Sequence, residues 1–158
     1  MHIRRRLRHA GIHSPEILAM LAGNGGRWKM LPASTDEVNQ AGRNEWGAAS
    51  TLLVHALTIE HPLAIVALDR NSAHLAEQLS LKVFLPVIAI SDDRTLTSTN
   101  VPWIFRLPSQ TLSVNAVRLV IAALQKSGVN AEKLRDVLAS GTDTAGFAFF
   151  PNGEPREK

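Results

Sequence analysis

Cysteine is absent from the 158 residues. That excludes disulfides, thiolate nucleophiles and sulfur-ligated metal sites, and it leaves the compartment open. Tyrosine is absent too, and aromatic residues are only 5% of the chain, so stacking groups for a flat ligand are scarce. No run approaches the ~20 apolar residues of a membrane span. The opening Met1-His2-Ile3-Arg4-Arg5-Arg6 leads into no signal-peptide core, because the run Ile17–Ala22 is short and stops at Gly23. Also missing are a Gly-x-Ser-x-Gly elbow, a Gly-x-Gly-x-x-Gly turn after any strand candidate, and a Gly-Lys-Ser/Thr phosphate loop. Gly23-Asn24-Gly25-Gly26 is rich in glycine but follows an apolar run read here as helix.

What remains is an ordinary globular composition, 45% apolar and 20% charged, of one-domain length. The formal charge of +3 is uneven. Residues 1–30 hold six basic groups (Arg4, Arg5, Arg6, Arg8, Arg27, Lys29) against Glu16, while the other 128 hold 11 basic and 13 acidic. Such an arm can meet nucleic acid, but no aromatic residue is interleaved with the arginines, so a solubilising face is the simpler reading and no nucleic-acid partner is expected.

The stretch Leu63–Arg106 carries the architecture. LAIVAL at 63–68 and PVIAI at 86–90 are continuous apolar runs rich in β-branched residues, as in the buried strands of a parallel sheet. Between them Ala73, Leu75, Ala76, Leu79 and Leu81 repeat at helical spacing, with Ser72 as the expected N-cap. A third run, Trp103-Ile104-Phe105, ends at Arg106. These features predict an α/β three-layer sandwich with a mostly parallel central sheet. Further helices are expected over Asn44–Thr58, Ser113–Gln125 and Asn130–Leu138, closed by Gly128 in the second case. Trp28–Leu31 is a short strand candidate, Gly146–Phe150 a last one, and 33–36 a turn. Residues 1–22 read as a helix interrupted at Gly11 and restarted by Ser14-Pro15-Glu16. The division expected is a basic helical segment over 1–30, a single α/β lobe over 31–155, and a polar tail over 156–158.

Chemistry is concentrated in two polar loops that should leave the carboxyl ends of neighbouring strands, where open α/β sheets bind ligands. At Asn71, Ser72 and Ala73 a strand gives way to a helix, and free backbone N–H groups favour a carboxylate or phosphate. Ser91, Asp92 and Asp93 could add a hydroxyl and an acid for an ammonium. Both loops are also the ordinary caps and turns that any βα unit needs. The six histidines show no metal-site spacing; His9 and His13 are separated by Gly11, and His74 lies beside the first loop. Ser91, His74 and Asp69 form no recognisable triad. No metal, cofactor or catalytic residue is assigned, and the chain is not expected to be an enzyme. Alternating Phe147, Phe149 and Phe150 suggest an aromatic face for self-association, so a homo-oligomer is expected.

WGAASTLLVHAL at 46–57 and IVALDRNSAHLAEQLSLKVFLPVIAISDDRTLTSTNVPWIFRLPS at 65–109 resemble the first lobe of type 1 periplasmic substrate-binding proteins, the leucine/isoleucine/valine-binding components of branched-chain amino acid ABC transporters. NAVRLVIAALQKSGVNAEKLRDVLASGTDTAGFAFFPNGEP at 115–155 is similar to the family's C-terminal elements. The resemblance implies one lobe closed off by those last elements, with the second, clamping lobe missing. It also implies a periplasmic setting and ligand contacts at Asn71–Ser72 and Ser91–Asp93. Asp69-Arg70 and Asp92-Asp93 stand where small or hydroxyl residues are common in the family. The function expected is non-catalytic binding of a small amino acid or similar polar metabolite. The alternative is a structural or protein-interaction domain, a homodimer that has lost ligand binding.

Overall fold

The computed structural model describes residues 17–22, 28–32, 45–98 and 101–157. In chain order these form β1 (Ile17–Ala22), β2 (Trp28–Pro32), α1 (Glu45–Glu60), β3 (Ala64–Ala67), α2 (Arg70–Val83), β4 (Val87–Ile90), α3 (Thr95–Ser98), β5 (Ile104–Leu107), α4 (Ser113–Ser127) and α5 (Ala131–Ala139). One sheet runs β2-β1-β3-β4-β5. β3, β4 and β5 are parallel neighbours, with Val66 opposite Ile88 and Ile88 opposite Phe105. β1 is antiparallel to both β2 and β3. The sheet is therefore a parallel three-stranded core with an antiparallel pair on one side, rather than mostly parallel throughout.

β1 corrects the helix expected over 17–22. Ile17-Leu18-Ala19-Met20-Leu21-Ala22 has no polar face, and a short continuous apolar run carries no period that separates buried strand from buried helix. Glycines follow it, and Trp28–Pro32 returns antiparallel to it, so hairpin pairing prevailed. The remainder of the helix expected over 1–22, the histidine pair His9/His13, Gly23–Gly26 and the 33–36 turn lie outside the described residues.

Residues of β3, β4 and β5 are buried on both faces, which is why β3 and β4 read as unbroken apolar runs and β5 is broken only by Arg106. Alternate side chains feed two cores. Ile65, Ala67, Val87, Ala89 and Ile104 pack with Leu53, Ala56 and Leu57 of α1 and with Ala73, Leu75 and Ala76 of α2. Ala64, Val66, Ile88, Ile90, Phe105 and Leu107 pack with Ala116, Val117, Leu119, Val120 and Ala123 of α4, with Leu134 and Leu138 of α5, and with Phe149. α5 is capped by Asn130, whose side chain accepts the Lys133 amide, and α4 ends at Gly128 with a positive φ of 76°.

Gly146–Phe150 is not a strand of the sheet. Residues 144–155 form a looped strap with isolated bridges, Thr144 to Phe147 and Phe149 to Pro155. Phe149 points into the second core and meets Phe105 edge-on at 5.3 Å, whereas Phe150 on the other side of the chain is 46% exposed. Glycine is required at the strap's closest approach. A Cβ on Gly153 would lie 1.8 Å from the Ile104 carbonyl oxygen, and φ is +88°. The Arg106 amide donates to the Gly153 carbonyl at 2.8 Å, so the strap covers the outer edge of β5.

Candidate functional site

The carboxyl ends of β3, β4 and β5 lead into three loops, and two adjacent aspartates tie them together. α2 is capped by Asp69, not by Ser72. The Asp69 carboxylate accepts the Ser72 amide at 2.7 Å, and its carbonyl accepts the Ala73 amide at 3.0 Å. Asp69 outcompetes Ser72 because it stands one residue before the first turn, where its oxygen reaches the third helical N–H. Ser72 and Ala73 are buried. The anion-binding amides expected at 72 and 73 are thus already satisfied, and only those of Arg70 and Asn71 lie in the first turn without intrahelical partners.

Asp93 accepts on both oxygens. Oδ2 lies 2.7 Å from Arg70 Nε and 2.8 Å from His74 Nε2, while Oδ1 accepts the Thr95 amide at 3.0 Å and the Thr95 hydroxyl at 2.6 Å. The Thr95 hydroxyl, His74, the Thr95 amide and Arg70 together hold its carboxyl well below the usual carboxylate range. His74 is also flanked by Glu77, whose Oε2 is 3.4 Å from Nδ1. Four donors saturate a carboxylate, so Asp93 has no lone pair left for a ligand. Asp92 differs. It reaches the β5–α4 loop, accepting the Ser109 amide at 3.0 Å and the Ser109 hydroxyl, which lower its pKa. Its outer lone pairs face solvent. Ser91 is buried and structural: its hydroxyl accepts the Asp93 amide, and its own amide donates to Leu107 O.

Of the six residues expected at the site, the structure ties Asp93 to Arg70 and His74 of α2, turns Asp92 toward Ser109, uses Ser91 between Asp93 and β5, leaves Asn71 exposed, and commits Ser72 and Ala73 to the interior. Sequence reasoning passed over Arg70, Thr95 and Ser109 as partners, and it missed a second polar cluster altogether. Arg106, with 7% of its side chain exposed, donates Nη1 to Ser91 O at 3.0 Å and pairs through Nε and Nη2 with Glu154 of the strap. The Thr97 hydroxyl donates to the same carboxylate. Arg106, then Thr97, hold Glu154 below its usual pKa. One signal was available: Arg106 stands inside an apolar strand run, before Leu107, and a buried arginine demands an acid from elsewhere in the chain. Among the described residues no group of three or more His, Asp or Glu is placed to hold a metal, and no helix is long and apolar enough to cross a membrane.

Comparison with protein-family models, curated proteins and solved structures finds no match to this chain.

Proposed function

We propose that the domain binds a small zwitterion, an amino acid or a similar polar metabolite, without transforming it. The loops at the carboxyl ends of the parallel strands are the site. One observation carries the reading: Asp93 accepts Arg70 Nε, while the Arg70 side chain is 71% exposed and its Nη groups make no ion pair among the described residues. The ligand's carboxylate pairs with those Nη groups and with the amides of Arg70 and Asn71. Its ammonium pairs with the outer lone pairs of Asp92. The resemblance to type 1 substrate-binding lobes supports the same edge and the same class of ligand, and a periplasmic role in amino acid transport follows from that resemblance alone.

A second reading is a protein-interaction domain that has lost ligand binding, acting as a homodimer. The charge of Asp69 at the start of α2 favours it, since that carboxylate already answers the helix dipole and repels a ligand carboxylate. Isothermal titration against a panel of amino acids, leucine, isoleucine and valine included, decides between the two. Saturable heat that disappears in Arg70→Ala supports the receptor site. No heat at millimolar ligand, from folded protein that light scattering shows to be a dimer, favours the second reading.

A further inference from the structure

A cavity of about 810 Å³ lies between α3 and the strap, and the β4–α3 loop contributes Arg94 to it. Its lining includes Arg94, Phe150, Asn152, Glu154, Arg156 and Glu157. The charge balance is lopsided. Glu154 is paired from beneath with Arg106 and also lies in the field of Arg94, so with Arg106 counted three guanidinium groups stand against the two carboxylates of Glu154 and Glu157. Among the described residues, neither Arg94 nor Arg156 enters an ion pair.

Arg156 is held in place in spite of its exposure. Its guanidinium lies over the Phe150 ring at 4.8 Å, and Nε donates to Phe149 O at 3.3 Å. Gly141 makes room for it: a Cβ there would sit 2.9 Å from Nη2. Stacking fixes the plane of the guanidinium, and the bond at Nε consumes one donor, which leaves the Nη edge free in a set direction. A side chain immobilised in advance loses little entropy on meeting an anion, so the geometry suits recognition better than two free surface arginines would. Phe150 and Pro155 add an apolar wall beside the charge.

We infer that this cavity is a second ligand site, which takes a small organic carboxylate: the anion between Arg94 and Arg156, the apolar body against Phe150 and Pro155. It is independent of the zwitterion site at Arg70 and Asp92, and it stands or falls separately from that reading.

The test is a titration of ¹⁵N-labelled protein with phenylacetate at constant ionic strength, followed amide by amide, with phenylacetamide as the uncharged isostere. The result expected is saturable shifts confined to residues 94–98 and 150–157, absent with phenylacetamide. Arg94→Ala and Arg156→Ala each weaken the affinity about tenfold, the loss of one charge-assisted contact. Arg156→Lys keeps the charge and the fold but loses the planar fork, and weakens binding less than Arg156→Ala. Arg70→Ala, which removes the anchor of the zwitterion site, still shows saturable phenylacetate shifts at residues 150–157. Non-saturating shifts, equal shifts with phenylacetamide, unaltered affinity in Arg156→Ala, or shifts that cluster at residues 69–74 and vanish in Arg70→Ala would each overturn the inference.

Discussion

Asp93 is the residue on which the loop edge turns, because one carboxylate gathers Arg70, His74 and Thr95. Its folded pKa is depressed, so it contributes stability above its unfolded value of about 3.9 and loses that contribution as pH falls through and below it. Asn is the isostere of the protonated acid. Asp93→Asn should therefore melt below the parent protein at about pH 7, and the gap should narrow progressively as pH drops below about 4, where the unfolded chain's carboxylate protonates while the folded one is still held ionised. Thermal melts across that range check it, and a gap independent of pH would mean that the paired charge is not what holds the loops. That the two loops would meet was legible in the sequence, since βαβ connectivity sets neighbouring strand ends side by side. Which atoms meet was not. Asp93 finds Arg70 and His74 at separations of 23 and 19 positions, and local spacing cannot predict such pairs. The cap was legible in kind only: Asp69 and Ser72 are both good N-cap types, and the first helical residue decides between them.

At the scale of elements, the helices α1, α2, α4 and α5 fall close to where apolar spacing put them, because each buries one stripe against a sheet face. β3, β4 and β5 were legible as buried runs. β1 was not, because six apolar residues in a row carry no period, and its pairing with β2 is settled by tertiary contact. The C-terminal strap escaped for another reason. It is held less by a ladder than by a Gly153 carbonyl, a buried ion pair and one phenylalanine, none of which forms a pattern. Gly153→Ala should expose how much depends on that closeness. The added methyl collides with backbone rather than with a mobile side chain, and the positive φ adds strain, so the strap must lift from β5. A loss of at least about 2 kcal/mol in urea denaturation is expected. The Arg106 amide, which donates to Gly153, should lose its hydrogen-exchange protection while the β4 amides keep theirs. Unchanged protection at Arg106 would show that the strap is held from elsewhere.

Across the whole molecule, two cores share one sheet, and neither can be completed without it. Ile65 and Ala67 face α1 and α2 while Ala64 and Val66 face α4, so every parallel strand belongs to both. α5 joins them again beyond β5: Leu134 and Leu138 lie in the second core, and Ala131 packs on the first, where Arg135 covers Trp103 at 5.0 Å. Loss of either core should thus remove the support for the other, and the described body should unfold as one unit. Leu53→Ala opens a void in the first core and Leu119→Ala in the second, both at side chains with almost no exposure. Each should cost about 2–5 kcal/mol. Calorimetry is the deciding measurement. Each variant should give a single peak, displaced to lower temperature, with calorimetric and van't Hoff enthalpies equal. If Leu119→Ala instead splits the peak and leaves a component at the parent's melting temperature, then α4, α5 and the strap form a unit separable from α1 and α2. The strap's cavity would then belong to a part of the molecule able to open while the loop site stays folded.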